Sequence, residues 1–235
     1  MMKRAELSTA ERYPRKWGAR SSHHLVLALV GEGEGRRVLD IGCAQGHLLG
    51  ELKVGGWDCI GIDADSADIA TCIARGLDVV ELDITTDFPT SLGTYDLVVL
   101  ADVLEHLPDP VRVLRRVHSL LNPGARIVVS VPNVAHVSVR AQLLFGRFRY
   151  SARGILDRTH LRFFTQRTAL ELLTDSGFAV NQTTASAVPV ELVWPALTSS
   201  RIGRVILKLN DCLPALWSGG FAYQHILVAT PNSEI

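Results

Sequence analysis

The sequence is short of several things, and each shortage excludes something. Its four cysteines, Cys43, Cys59, Cys72 and Cys212, form no C-x-x-C pair and keep no metal-ligand spacing with histidine. Neither a disulfide framework nor a bound metal is expected from that pattern, and a reducing, cytoplasmic setting is the simpler expectation. Neither sign of charge is in excess: 24 Lys and Arg balance 24 Asp and Glu, which argues against a general nucleic-acid binder, where a basic footprint is expected. No uninterrupted apolar run reaches the roughly 20 residues that span a bilayer. Met1 to Lys16 is charged and lacks the apolar core of a secretory signal. Internal repeats and low-complexity tracts are absent as well. What remains, 235 residues with 47% hydrophobic content, can bury the core of one domain spanning 1–235.

The most informative run is Arg37-Val38-Leu39-Asp40-Ile41-Gly42-Cys43-Ala44-Gln45-Gly46, followed by Gly61-Ile62-Asp63-Ala64-Asp65. An apolar strand ending in an acid, a small-residue turn opening a helix, and a second strand ending in an acid form the pattern of a nucleotide-cofactor site on a doubly wound sheet. Gly42 and Gly46 let the backbone turn sharply and let a ligand lie against it. A dinucleotide fingerprint would ask for glycine at positions 44 and 47, where this chain has Ala44 and His47. Asp40 would face and repel a diphosphate, yet it suits a ligand carrying an ammonium and a sulfonium, as S-adenosyl-L-methionine does. Asp63 stands 17 residues after Gly46, where a carboxylate accepts hydrogen bonds from both ribose hydroxyls, with Ala64 beside it. The third strand, Asp78 to Leu82, ends in Asp83, placed for the adenine amino group, while Ile84 offers a backbone amide and an apolar contact. Three acids at three successive strand ends favour the cofactor site over an ordinary tight turn.

The remaining chain alternates as βαβ units do: strand 37–41, helix 46–53, strand 58–62, helix 66–75, strand 78–82 and strand 95–100. Asp109-Pro110 starts a helix expected over 110–121, and Asn122-Pro123-Gly124 stops it. Strand 126–131 leads into an irregular stretch from Pro132 to Thr165, then helix 166–176 and strand 178–186. An insertion at about 189–222, with an apolar helix near 200–210, precedes a last strand, Gln224 to Thr230. Ser21 to Val30 reads as a helix packed before the first strand, and Tyr13 and Trp17 would share one helical face.

These residues resemble the class I S-adenosylmethionine-dependent methyltransferases, in the broad group called methyltransferase type 11 or type 12. Val38 to Gly46 looks like that superfamily's first motif. Tyr95-Asp96-Leu97-Val98-Val99 with Asp102-Val103-Leu104-Glu105-His106-Leu107 looks like its fourth-strand motif, and Leu121-Asn122-Pro123-Gly124-Ala125-Arg126-Ile127 is similar to its turn and fifth strand. The likeness covers about Arg36 to Phe178. It implies a Rossmann-like, seven-stranded α/β sheet, mostly parallel, with helices on both faces and the last strand antiparallel between the fifth and sixth. It also implies that 1–30 folds over the cofactor as a helical lid; a helix that merely covers the sheet is the plainer alternative. The family commonly has glycine where Ala44 stands, and Ala44 suits the turn only with a negative φ.

Methyl transfer is an in-line displacement, so the protein must align a nucleophile, exclude water and, for a hydroxyl, remove a proton. In open α/β sheets the ligand lies beyond the carboxyl ends of the strands. That selects Ala101 and Asp102, expected at the methionine end of the cofactor, with His106 as one candidate base or else a positioning residue. It also selects Asn133 and the run Asp157-Arg158-Thr159-His160-Leu161-Arg162-Phe163-Phe164-Thr165. Between 112 and 167 stand eleven arginines and one acid, Asp157, a local charge of +10. Arginine forks suit anionic oxygens. Arg112, Arg115 and Arg116 read as a solvated helix face, whereas Arg158 and Arg162 flank His160 and are expected to hold an anionic small-molecule acceptor, with His160 and Asp157 in the chemistry.

The Asp157–Thr165 run is similar to that of methyltransferases associated with polysaccharide biosynthesis. Ala70 to Val79 and Gly146-Arg147-Phe148 resemble the methionine biosynthesis protein MetW. The leading expectation is therefore O-methylation of a sugar, sugar nucleotide or similar metabolite. The alternative is a MetW-like cofactor-binding partner subunit without turnover, with the 189–222 insertion as a docking surface for a protein partner or a second copy.

Overall fold

The computed structural model describes residues 21–86, 88, 92–190 and 201–232, apart from the side chains at 201, 202, 204 and 206. Residues 1–20 of the expected lid, Tyr13 and Trp17 among them, lie outside that description, as does 191–200 of the insertion.

Seven strands form one sheet: β1 (Arg37–Ile41), β2 (Asp58–Asp63), β3 (Val79–Glu81), β4 (Tyr95–Ala101), β5 (Leu121–Pro132), β6 (Phe178–Ala185) and β7 (Gln224–Pro231). Their order is β3-β2-β1-β4-β5-β7-β6. Neighbours among β1 to β5 are parallel, and β7 runs antiparallel between β5 and β6, as expected. Strand residues alternate between two apolar layers, the period-two signature of a sheet covered on both faces. Leu39, Ile41, Val98 and Leu100 belong to the layer that also holds Leu114, Val117, Leu173 and Phe178. Val38, Leu97 and Val99 belong to the other, with Val26, Val30, Leu49 and Leu52.

The helices are α1 (Ser22–Val30), α2 (His47–Val54), α3 (Ser66–Ala74), α4 (Pro110–His118), α5 (Val137–Leu144), α6 (Gln166–Asp175), α7 (Arg201–Leu216) and α8 (Ser218–Phe221). Val26 and Val30 of α1 pack with Val128 of β5 and Ile226 of β7. The described part of the expected lid is therefore a core helix on the sheet face.

Several boundaries differ from expectation, and the helix expected near 200–210 runs on to Leu216. Helix α4, capped by the Asp109 carboxylate accepting from the Arg112 amide at 3.0 Å, stops at His118, not at 121. Asn122-Pro123-Gly124 then lies inside β5, where Leu121 faces Tyr95 and Arg126 faces Leu97. The turn signal is absorbed as a bulge, with Gly124 at φ 80° and the Asn122 side-chain Nδ2 donating to Asp96 Oδ1 at 2.9 Å. The stretch 132–165, expected to be irregular, contains α5, whose N-terminus is capped by the His136 ring accepting from the Ser138 amide at 3.2 Å.

Gly61 lies in β2 beneath the first turn, and a Cβ there would stand 2.7 Å from Leu49 Cδ2 and 2.8 Å from Cys43 Sγ. Overpacking of this kind costs about 1–3 kcal/mol. Gly61→Ala should lower the urea-unfolding free energy by that amount, which a denaturation curve checks.

Candidate active site at the carboxyl edge of the sheet

The strand order sets four acids along one edge. Asp83 follows β3, Asp63 ends β2, Asp40 stands near the end of β1 and Asp102 follows β4. The carboxylates do different work. Asp40 is 2% exposed, and its Oδ2 is buried with no hydrogen-bond partner among the described residues. Burial, followed by the nearby charge of Asp63, pushes its carboxyl up to about 8. Such an acid is a seat for a cation, because a positive group would supply the missing partner and favour ionisation.

Asp63 is the clasp of the turn. Its Oδ2 accepts from the Ala44 amide at 2.8 Å and its Oδ1 from the Asp65 amide at 2.9 Å, which ties the β1–α2 turn to the end of β2. Each oxygen keeps a second lone pair, so the expected ribose contact is compatible with this structural duty. Ala44 itself sits at φ 45°, against the expectation of a negative φ. The Asp63 bond at its amide and the Cys72 thiol donating to its carbonyl at 3.1 Å hold it in this left-handed conformation.

Gly42 and Gly46 serve the protein's own packing as well as the turn. A Cβ on Gly42 would stand 2.6 Å from Val103 Cγ2, and one on Gly46 would stand 2.4 Å from Leu77 Cδ1. Both have positive φ, 72° and 70°.

Around the cleft, Ala64 is exposed, Ala101 closes β4 half-buried and Ile84 is buried. Asp83 is exposed, and its Oδ1 accepts from the Thr85 amide at 2.9 Å and hydroxyl at 2.7 Å. Asp102 adopts φ 60°. Its Oδ1 accepts from Ser130 Oγ at 2.8 Å and from the Gln224 side-chain amide, which joins β4 to β5 and β7. Ser130 and Gln224 were not legible as site residues, because only the sheet pairing brings them to Asp102.

Beside Asp102 the two candidate histidines meet. The rings of His106 and His160 lie 4.9 Å apart, edge to face. His106 Nδ1 is 3.2 Å from the Thr159 carbonyl and His160 Nδ1 is 3.1 Å from the Ile155 carbonyl. A carbonyl only accepts, so each Nδ1 carries the proton and each Nε2 the lone pair. Burial, then the neighbouring His106, lowers the affinity of His160 for a proton. The loop is fastened at the Glu105 carbonyl, which accepts from the Leu161 and Arg162 amides at 2.8 and 3.0 Å. Phe163 stands 6.3 Å from His160 and within 5.9 Å of Phe148 and 6.3 Å of Tyr150, ring to ring. These three rings form an aromatic wall next to the histidines.

Other expected residues are occupied within the fold. Asp157 Oδ1 accepts from the amide and hydroxyl of Thr159, both at 2.8 Å, and so shapes the loop that carries His160. Asn133 is buried, its amide nitrogen donating to the Ala222 carbonyl at 2.9 Å and the Gly219 carbonyl at 3.3 Å. Both of its donors are spent on α8 and the residue that follows it. The Arg162 guanidinium donates to the Pro108 carbonyl, and Arg126 to that of Val30 at 2.7 Å. Arg147, Arg149, Arg153 and Arg158 are exposed. A surface concavity of about 650 Å³ between Ala135, Arg140, Thr165 and Gly219 holds none of the strand-end acids and neither histidine of this pair.

A family model described as a methyltransferase domain matches residues 10–183. Ubiquinone biosynthesis O-methyltransferase of Marinobacter nauticus is 34% identical over 110 residues, 42% of this chain and 45% of that protein. The chain therefore spans about half the length of the curated relatives it matches. Among solved structures, a SAM dependent methyltransferase from Archaeoglobus fulgidus is similar with a TM-score of 0.60 at 24% identity, over 89% of this chain and 95% of that one. Magnesium protoporphyrin IX methyltransferase of Synechocystis PCC 6803, with bound SAH, gives 0.58 at 18% identity, over 90% and 80%. At such identities the likeness is one of fold.

A left-handed φ costs a residue with a Cβ about 1–2 kcal/mol, and glycine gives back about 0.4–1 kcal/mol through the unfolded chain. Ala44→Gly should therefore raise the unfolding free energy by about 0.5–1 kcal/mol, measured in urea.

Proposed function

The chain belongs to the methyltransferase domain family, and we propose that it moves the methyl group of S-adenosyl-L-methionine to a hydroxyl of a small, anionic, ring-bearing acceptor such as a sugar or related metabolite. The single observation that carries this reading is the buried Asp40 Oδ2, without a hydrogen-bond partner among the described residues, beside a clasped glycine turn, a seat that asks for a cation. Bound there, the cofactor supplies an electrophilic methyl carbon on a sulfonium. Asp40 would receive the ammonium of its amino-acid end, with Ala101 and Asp102 lining that end. The spare lone pairs of Asp63 would receive the ribose hydroxyls. Asp83 and Ile84 would bracket the adenine.

On the acceptor side, the Nε2 lone pair of His160 would take the hydroxyl proton, with His106 as its packed neighbour. Asp157 contributes by setting the loop. Phe148, Tyr150 and Phe163 offer a surface against which a ring can pack while excluding water. Arg147, Arg149, Arg153 and Arg158 would hold the anionic group; Arg162 joins them less readily, because its guanidinium already serves Pro108. The exposed Leu209, Leu216 and Trp217 of the insertion support a partner or second copy docking there. The curated relatives are O-methyltransferases of ubiquinone biosynthesis by name, and a hydroxylated aromatic ring is a second acceptor class that the same aromatic wall would take.

Two variants separate the cofactor half of the site from the acceptor half. Asp63→Ala removes charge-assisted hydrogen bonds of about 1.5–3 kcal/mol each and should raise the calorimetric Kd for S-adenosyl-L-methionine at least tenfold. His160→Ala should leave that Kd within about threefold and lower turnover on the acceptor by about 10²–10⁴-fold. A protein that binds the cofactor yet methylates no member of a panel of sugar, nucleotide-sugar and phenolic acceptors would instead fit the partner-subunit reading.

A further inference from the structure

We propose that Glu105, His106 and His160 together form a site for one divalent transition-metal ion. One ligating atom from each of the three lies within 4.8 Å of the other two. Glu105 and His106 come from the 3-10 turn Leu104–His106 that follows β4, and His160 comes from a loop more than fifty residues later, held to that turn through the Glu105 carbonyl. Two imidazoles and one carboxylate are the ligand set of open sites that keep a position for water or substrate.

The outer contacts have the character of a metal site. A ligating histidine almost always donates its other ring N–H to a carbonyl or carboxylate, which fixes the tautomer and the ring plane. Both histidines do so here, His106 to Thr159 at 3.2 Å and His160 to Ile155 at 3.1 Å. Both Nε2 lone pairs are thereby available as ligands. Glu105 is 1% exposed, so bulk water screens the attraction between its carboxylate and a cation only weakly. Ligands around a zinc-sized ion stand about 3.4 Å apart for bonds of about 2.1 Å, so atoms within 4.8 Å of one another would draw together by up to about 1.4 Å on binding. Imidazole nitrogen favours zinc, copper, iron or nickel over calcium and magnesium, which take oxygen.

The site rests on the methyl-transfer reading only for its purpose. An ion there would polarise an acceptor hydroxyl and lower its pKa, so that the hydroxyl would give its proton to solvent water and His160, with the ion bound, would serve as a ligand in place of the base role it has in the metal-free site. Binding of the ion is tested without cofactor or acceptor, so its failure leaves methyl transfer standing, and failure of methyl transfer leaves the ion.

The test uses the full chain, stripped with a chelator and titrated with Co²⁺ alone while its visible d–d absorption is followed, with Zn²⁺ as competitor. One Co²⁺ per chain is expected, displaced by Zn²⁺. His106→Ala and His160→Ala should each weaken binding by more than about 100-fold, beyond the cost of losing an outer partner. His24→Ala, on exposed α1 surface, should bind as the parent does. Glu105→Gln should weaken binding too; should it fail to fold, as a circular dichroism melt would show, the two histidine variants carry the test. Absence of a saturable cobalt spectrum in folded parent protein, or unchanged affinity in the double variant His106→Ala/His160→Ala, would overturn the proposal.

Discussion

Removing the Asp40 carboxyl from water while leaving its Oδ2 without a hydrogen-bond partner among the described residues is the constraint around which the cleft is arranged. The group stands on a central strand, between β2 and β4, where apolar neighbours fill both faces of the sheet. A carboxyl raised from 3.8 to about 8 reflects roughly 5–6 kcal/mol held against the charged form, at about 1.4 kcal/mol for each pKa unit. Proteins keep such a cost where it is offset by a ligand, and strained or unsatisfied groups gather at functional sites. A ligand ammonium offsets it directly, since it favours the ionised acid and supplies the hydrogen bonds that Oδ2 lacks.

The surrounding backbone is bent to keep that acid at the cleft. Two non-glycine residues next to it, Ala44 and Asp102, hold left-handed φ of 45° and 60°. Each is fixed by a neighbouring strand: Ala44 by the Asp63 carboxylate of β2, and Asp102 by Ser130 of β5 and Gln224 of β7. The sheet order thus converts strand pairing into the shape of a binding edge. On the far side of β4, the loop that carries His160 is fastened to the same turn that carries Glu105 and His106, so the cofactor half and the acceptor half share one hinge point at the end of that strand.

Much of this was legible in the sequence because it is local. Asp40, Asp63 and Asp83 each close or follow a short apolar run, and period-two burial follows from the residues themselves. The left-handed φ of Ala44 was not legible, because it depends on the hydrogen bond that its amide donates to a carboxylate 19 positions on. Asn122-Pro123-Gly124 signalled a turn correctly, but the turn lies within a strand as a bulge opposite Tyr95 and Leu97. Helix α5 went unread because its cap is a histidine, an uncommon N-cap. The sequence separated the arginines of helix α4 from Arg158 and Arg162 but not Arg162 from Arg158; the structure spends Arg115, Arg126, Arg140 and Arg162 on backbone carbonyls and pairs Arg167 with Glu171, while Arg147, Arg149, Arg153 and Arg158 stay exposed. Pairing of Glu105 and His106 with His160 is a tertiary event that no spacing rule foresees.

The account stands or falls on Asp40 as the seat of a cation. Titrating the protein with S-adenosyl-L-methionine at pH 7 in two buffers of different ionisation enthalpy reads the proton that this carboxyl must give up. With a free-state value of about 8, the account predicts release of about one proton for each cofactor bound, lost in Asp40→Asn. A binding enthalpy that is the same in both buffers would contradict it.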